Sequence, residues 1–240
     1  METIKLTGLF PEFIIHPGET IQETLEDRNI LIENLSYDKI DIDYLKAVLD
    51  CKENITEDFA NDLEDITGVD SGFWLRYQDS YTEKYNRYLK EVEYLKETAG
   101  LGEVDSKLFA KYLTEKLKNK LNSTKLQKFL YMCYGLFLKE NEKCLLKERP
   151  KAWDFGPVFP SVHSCEKKGK LENIILSEKD LKLLSKYDDL IDRVVKEYDH
   201  FTATELSNLT HEDGTAWSKK YSNGKKYEEL DIYDIFLDFI

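Results

Sequence analysis

Apolar residues recur along this chain at intervals of three and four, the period of an amphipathic helix. In His16-Pro17-Gly18-Glu19-Thr20-Ile21-Gln22-Glu23-Thr24-Leu25-Glu26, Ile21 and Leu25 lie four apart, Pro sits near the first helical position and acids fill the first turn. That predicts a helix starting about residue 17. Short helices are predicted over 30–35 and 42–49, the second with Leu45, Val48 and Leu49 on one face. Thr56 reads as a cap followed by Glu57-Asp58, with Phe59, Leu63 and Ile66 as the apolar stripe and Gly68 at the stop position. The first segment is thus a bundle of four or five short helices, after which Phe73-Trp74-Leu75 opens another.

From residue 78 to about 96, Tyr81, Tyr85, Tyr88, Val92 and Leu95 mark a long amphipathic helix free of glycine and proline. Gly100-Leu101-Gly102 ends it and is the candidate domain boundary, ahead of a fresh helix over 106–118. The stretch 125–138 carries Leu126, Phe129, Leu130, Cys133 and Phe137 on one face and is largely apolar on the others, which predicts the core helix of the second half. Pro150, Gly156, Pro157 and Pro160 bar a helix until about residue 159, leaving an ordered loop with a short strand at 144–146. Ser177-x-x-Asp180 is a capping signature for a helix running to about 198; short helices at 202–209 and 213–220 and a closing one at 231–240 follow. The expected fold is mainly α, with room for a short β-hairpin. It is organised as residues 1–80, a connecting helix and linker at 81–104, and a second helical domain at 105–240.

Composition adds exclusions. With 240 residues, 41% hydrophobic and 34% charged, the chain can bury a full core without disulfides or metal. Its longest apolar run, residues 129–138, falls well short of the roughly 20 residues a membrane span needs. The start Met1-Glu2-Thr3-Ile4-Lys5 has no export signal, so a cytoplasmic location is expected. Cys51, Cys133, Cys144 and Cys165 lack paired spacing and read as reduced, mostly packed thiols. His163-x-Cys165 with Cys144 does not have the tight spacings of a zinc site, so no metal and no cofactor is expected.

The net charge of -13 is unevenly placed. Residues 1–80 hold 6 Lys/Arg against 19 Asp/Glu, whereas residues 81–240 hold 28 of each. A DNA-binding domain should carry the opposite sign, because phosphate neutralisation supplies much of its affinity. No phosphate-binding loop, dinucleotide fingerprint, nucleophile elbow or zinc-protease helix occurs. Four histidines are available as general bases: His16, His163, His200 and His211. In Thr210-His211-Glu212-Asp213 the imidazole could be oriented by a carboxylate for proton transfer, as in a hydrolase, or it could brace a helix start. The least ordinary stretch is Lys151-Ala152-Trp153-Asp154-Phe155-Gly156-Pro157-Val158-Phe159-Pro160. Its rings either plug the core beneath the loop or display an aromatic anchor to a partner, and one tryptophan can do both.

Lys125-Leu126-Gln127-Lys128-Phe129-Leu130-Tyr131, then Ala152-Trp153-x-x-Gly156-Pro157-Val158-x-Pro160, then Leu206-Ser207-x-Leu209-Thr210-His211 and Trp217 resemble, in order and spacing, the Panacea domain pattern over about residues 105–240. Ala216 stands where that pattern usually has proline. The resemblance implies a non-enzymatic, mainly helical antitoxin that neutralises a small protein toxin by direct contact, the toxin being encoded by the adjacent gene. The aromatic loop makes Trp153, Asp154, Phe155, Gly156, Pro157 and Val158, with His211 and Trp217, the expected partner-binding residues.

His16-Pro17-Gly18-Glu19, Asn54-Ile55-Thr56, Thr67-Gly68-Val69 and Phe73-Trp74-Leu75-x-x-Gln78-x-x-Tyr81 resemble a second family, the HigA-like branch of XRE-type helix-turn-helix proteins. That resemblance implies a helix-turn-helix fold for the first third and, as an alternative function, an autorepressor binding its own operator through Tyr44, Lys46 and Lys52. The residues argue against DNA as a partner. Asp38-Lys39-Ile40-Asp41 fills the turn, Asp50-Cys51-Lys52 stands where the family has Asn-Gly-Lys, and Asp41 and Asp43 open the recognition-helix position, where acids repel phosphates. A scaffold, a homodimer contact or an acidic docking surface for a basic toxin is the expected role of this segment.

Overall fold

A computed structural model of the chain describes residues 4–35, 39–118 and 121–240. Asp38, in the expected turn, lies outside them. The chain divides into two units, Met1–Glu91 and Val92–Ile240. Both are mainly helical, and among the described residues the β-structure is one two-stranded antiparallel sheet. No helix among them is long and apolar enough to cross a membrane.

In the first unit, helix α1 (Pro17–Asp27) begins where expected. His16 caps it, its Nδ1 accepting the Gly18 N–H at 3.0 Å. Gly18 is required because α1 crosses the end of α2 (Ile42–Leu49): a Cβ at residue 18 would lie 2.0 Å from the Val48 carbonyl oxygen. Helix α3 (Glu57–Thr67) has the Thr56 cap and stops at Gly68, whose φ of 68° is left-handed. Ile21, Leu25, Leu45, Val48, Phe59, Leu63 and Trp74 close the core. Gln78 ties down the approach to α3, its Oε1 accepting the Ile55 N–H at 2.8 Å and its amide donating to Asn54 and Thr82.

Two expectations change here. The helix predicted at 30–35 is a single 3-10 turn, Ile32–Asn34, with no side chain to cap it and too few residues to repay helix nucleation. The helix opened by Phe73 and the long amphipathic helix are one element, α4 (Ser71–Thr98), since no glycine or proline interrupts residues 73–98. The division between the units falls within α4.

The second unit is built around α6 (Ser123–Asn141), which Asn122 caps by accepting the Lys125 N–H at 2.8 Å. Every residue from 126 to 135 is buried, as the apolar pattern requires. Helices α5 (Ser106–Lys116), α7 (Pro160–Lys167), α9 (Asp188–Tyr198), α10 (Ala203–His211) and α12 (Ile232–Leu237) pack around it, with α8 (Glu178–Leu184) and α11 (Ala216–Ser222) further out. The run predicted as one helix from 178 to 198 is broken by a 3-10 turn, Ser185–Tyr187. Tyr187 leaves helical geometry, and its ring meets Phe109 and Phe137 edge-on at 6.0 and 5.7 Å, so packing overrides the local signal.

The strand expected at 144–146 makes one parallel bridge only, Leu146 to Val104. The hairpin lies further on, in β1 (Lys151–Trp153) and β2 (Gly156–Val158), with Ala152 opposite Pro157 and Asp154-Phe155 as the turn. A proline is tolerated there because Ala152 directs its backbone groups away from it, to Tyr227 and Glu228. At the end of the chain Asp238 accepts the Ala216 N–H at 3.0 Å and the Tyr131 hydroxyl at 2.5 Å, and Phe239 lies against Gly135 of α6.

Glycine to alanine in a helix interior ordinarily stabilises by up to about 1 kcal/mol. At Gly135 the new Cβ would lie 1.9 Å from the Phe239 ring. Gly135→Ala should therefore destabilise the chain by about 1–3 kcal/mol in urea unfolding. A gain would show that Phe239 does not pack there.

Candidate partner-binding site

One base stands inside the buried stretch of α6. Lys128 is 1% exposed, and a buried amine must find acceptors or give up its charge. Its Nζ donates to the Phe155 carbonyl at 2.7 Å and to Thr210 Oγ1 at 2.9 Å, while burial lowers its pKa to about 7. Gly156 makes the room. Its φ is 104°, and a Cβ there would lie 1.9 Å from Lys128 Nζ, so any side chain is excluded both by conformation and by contact. The amine thereby fastens α6 to the hairpin turn and to the end of α10. Gln127, the preceding residue, accepts the Phe159 N–H at 2.9 Å and fixes the entry to α7.

A column of rings stands on this knot. His211 stacks on Trp217 with centroids 3.8 Å apart and planes 10° apart. Trp217 stacks on Tyr221 at 4.4 Å, and Lys226 Nζ lies 4.4 Å from the centre of the Tyr221 ring. The Trp217 indole donates to the Trp153 carbonyl at 2.8 Å, binding the column to the hairpin. Asp154 in the turn accepts from Tyr221 (2.9 Å), Lys226 (3.2 Å) and Tyr227 (3.2 Å), which hold its carboxyl below the usual carboxylate range.

The eight residues assigned to partner contact are thus brought together, in different roles. Pro157 and Val158 are buried in β2. Trp153 is half-buried, edge-on to His163 at 5.0 Å and to Tyr227 at 5.8 Å, so it buttresses the hairpin. Phe155 is 78% exposed at the tip. Of the two rings, Trp153 packs under the hairpin and Phe155 projects from its tip. His211 ends α10 and its ring braces the start of α11, stacked under Trp217 in the first turn of that helix instead of pairing with Glu212 or Asp213. Its Nε2 is buried without a well-formed hydrogen bond, and burial together with the Lys128 charge holds its pKa below the ordinary value. No oriented proton-transfer pair exists there.

In the first unit two of the three residues considered for DNA contact are engaged within the chain. Tyr44 donates its hydroxyl to the Asn54 carbonyl at 2.7 Å and packs edge-on to Phe59, and Lys52 is paired with Asp50 at 2.8 Å. Lys46 is exposed on α2, whose cap is Asp41. Sequence reasoning overlooked Lys128, Tyr221, Lys226 and Tyr227 as parts of the site. For Lys128 the signal was weak: it directly precedes the apolar run 129–138, but Thr124, Lys125 and Gln127 on its N-terminal side are polar. The other three lie in a polar segment whose pattern carries no sign of the Asp154 contact.

Residues 126–218 match the sequence model of the family described as Antitoxin SocA-like, Panacea domain. The matched segment includes Lys128, the whole hairpin, and Thr210, His211 and Trp217. The chain is similar to the Antitoxin SocA of Caulobacter vibrioides (strain NA1000 / CB15N), with 29% identity over 129 residues covering 48% of this chain and 69% of that protein. No solved structure matches the chain.

The buried amine has a measurable consequence. Unfolded, Lys128 keeps its proton up to about pH 10.5, whereas folded it loses it near 7. Between those values the unfolded state binds more protons, so stability rises with pH; below 7 both states are protonated and the slope vanishes. Relative to Lys128→Met, the wild-type chain should gain up to about 1.4 kcal/mol per pH unit between about pH 7.5 and 9 in urea unfolding. Parallel stability curves would show that the amine titrates normally.

Proposed function

We propose that this chain is the antitoxin of a toxin–antitoxin pair and acts by direct binding to its cognate protein toxin, without catalysis. The observation that carries this reading is the exposed Phe155, held in the turn of a hairpin that Lys128, Gly156 and the His211–Trp217–Tyr221 column lock in place. A large ring on a rigid turn loses little freedom on binding and is the kind of residue that dominates interface energetics. The family match over this segment and the similarity to a protein named an antitoxin support the same reading.

In this reading residues 105–240 form the toxin-binding Panacea domain, residues 81–104 connect, and residues 1–80 form a HigA-like helix-turn-helix domain that has given up DNA. The acids of the first segment favour fast association with a basic surface, the kind a toxin acting on RNA or nucleotides presents to its substrate. Operator binding is disfavoured, since Tyr44 and Lys52 are already engaged and Asp41 and Asp43 open α2.

The test is co-purification of the tagged chain with the product of the adjacent gene, joined to rescue of growth when that product is toxic. A stable complex with rescue is the expected outcome, and neither effect would reject the reading. Because Phe155 is exposed, Phe155→Ala should leave unfolding unchanged while weakening toxin binding at least about tenfold, measured by calorimetry. Unchanged affinity would remove the hairpin tip from the interface.

A further inference from the structure

The first unit carries most of its charge as acid, yet on one side it leaves large apolar side chains in water. Phe13 is 74%, Ile15 47% and Phe73 42% exposed. Tyr77 joins them into one patch: its hydroxyl donates to the Ile15 carbonyl at 3.4 Å and lies 3.0 Å from Thr20 Oγ1, and its ring lies 6.1 Å from that of Phe73, one turn earlier on α4. Beyond Phe73 the patch dips into a cavity of ≈ 300 Å³ between α1 and the start of α4, walled by Thr20, Thr24, Val69 and Phe73 and floored by the fully buried Trp74. Rings and branched aliphatics from two distant stretches of the chain thus share one face. A contiguous patch of this kind regains free energy when an apolar surface covers it.

Charge decides what that surface is. Asp27 stands on the cavity wall, Asp70 accepts the Phe73 N–H at 3.0 Å, Glu12 adjoins Phe13, and Glu23 lies one helical turn from both Thr20 and Asp27. The bases beside them are Arg28, also on the wall, and Arg76, 3.9 Å from Asp70. Acid therefore outweighs base around the patch, as it does over residues 1–80, with 19 Asp/Glu against 6 Lys/Arg. A second copy of the chain would bring the same acids against this face, and like charges brought together across an interface cost binding energy. A neutral apolar molecule would cover the rings and leave the acids unmatched. The occupant that satisfies both features is a stretch of protein with Lys or Arg bordering an apolar stripe.

We infer that this face docks a basic amphipathic segment of a partner protein. Its apolar side chains lie over Ile15, Tyr77 and Phe73, with one seated in the cavity, and its cations meet Glu12, Glu23, Asp27 and Asp70. The inference rests on the antitoxin reading only in naming the toxin as that partner. The acids of the first segment then act at contact as well as at a distance.

The test titrates the full chain with three short capped peptides of equal length. One has leucines at three- and four-residue intervals on a lysine background, the second has glutamate in place of every lysine, and the third has serine in place of every leucine. By fluorescence anisotropy the leucine–lysine peptide should bind with roughly micromolar affinity, and the other two at least about tenfold more weakly. Phe73→Ser and Ile15→Ser, both at exposed positions, should each weaken that binding at least about fivefold with an unchanged urea midpoint. Leu31→Ser, which removes an exposed leucine from the wall of a different cavity, should bind as the wild type does. Equal binding of the serine–lysine peptide, or full affinity in both patch variants, would overturn the docking surface. A dimer of the free chain in sedimentation that Phe73→Ser dissolves would assign the face to a second copy and overturn the basic occupant.

The toxin then identifies the source. A preformed complex should exclude the leucine–lysine peptide, and Phe73→Ser should weaken toxin binding at least about fivefold. Peptide binding undiminished in the complex would overturn the toxin as occupant while leaving the antitoxin reading intact. A toxin that never binds would reject that reading and the assigned source together, and the peptide titrations would still decide the surface.

Discussion

The hairpin of the second unit and the elements around it depend on an amine buried beneath a glycine. Lys128 lies in the buried stretch of α6 and sacrifices hydration to do so, a cost that a methionine of similar length would avoid. A methionine, however, could not join three segments by donation. The lysine takes the Phe155 carbonyl from a two-residue turn and the Thr210 hydroxyl from the end of α10, so helix, hairpin and α10 meet at one nitrogen. Gly156 is the complement of that bond, since the space a Cβ would need is the space the amine fills. Gln127 repeats the device one residue earlier by accepting from Phe159. Two adjacent polar side chains on a buried helix thus set both ends of the hairpin.

Much of this was legible in the sequence, and the parts that were not share a cause. The boundaries of α1, α2 and α3 follow from signals local to the chain: proline at the first position, acids or threonine at caps, a glycine stop. The division of the 178–198 run was not legible, because Tyr187 leaves the helix to reach Phe109 and Phe137, which lie far away in sequence. The position of the hairpin, at 151–158, was not legible for the same reason. Its prolines and glycine read as breakers, and only the backbone of residues 227 and 228, pairing with Ala152, makes a strand of that segment. At the site, the rings of the loop could be named from sequence but their roles could not, since the half-burial of Trp153 depends on His163 and Tyr227, which the local pattern does not place beside it.

The first unit illustrates how the same residues can suggest function and serve structure. His16 and Gly18 carry part of the second resemblance, yet one caps α1 and the other lets α1 approach the Val48 carbonyl. Gln78 and Tyr81 likewise hold the loop before α3 and pack on His16. A pattern made of such residues reports a way of folding. What the fold then does is set by the residues left on its surface, and here those are predominantly acids.

The same separation operates within the second unit and bears on how partner choice is encoded. In the stretch Ala152-Trp153-Asp154-Phe155-Gly156-Pro157-Val158-Phe159-Pro160, the residues that define the pattern are those that are buried or brace the knot. Asp154 and Phe155, at positions the pattern leaves open, form the turn, and Phe155 is the exposed one. Substitution there changes the surface offered to a partner without touching the Lys128 amine, because the amine holds the Phe155 backbone carbonyl and is indifferent to its side chain. A scaffold tied through main-chain atoms can therefore keep its geometry while the displayed side chains are replaced. That is the physical condition under which one fold can serve partners of unrelated shape.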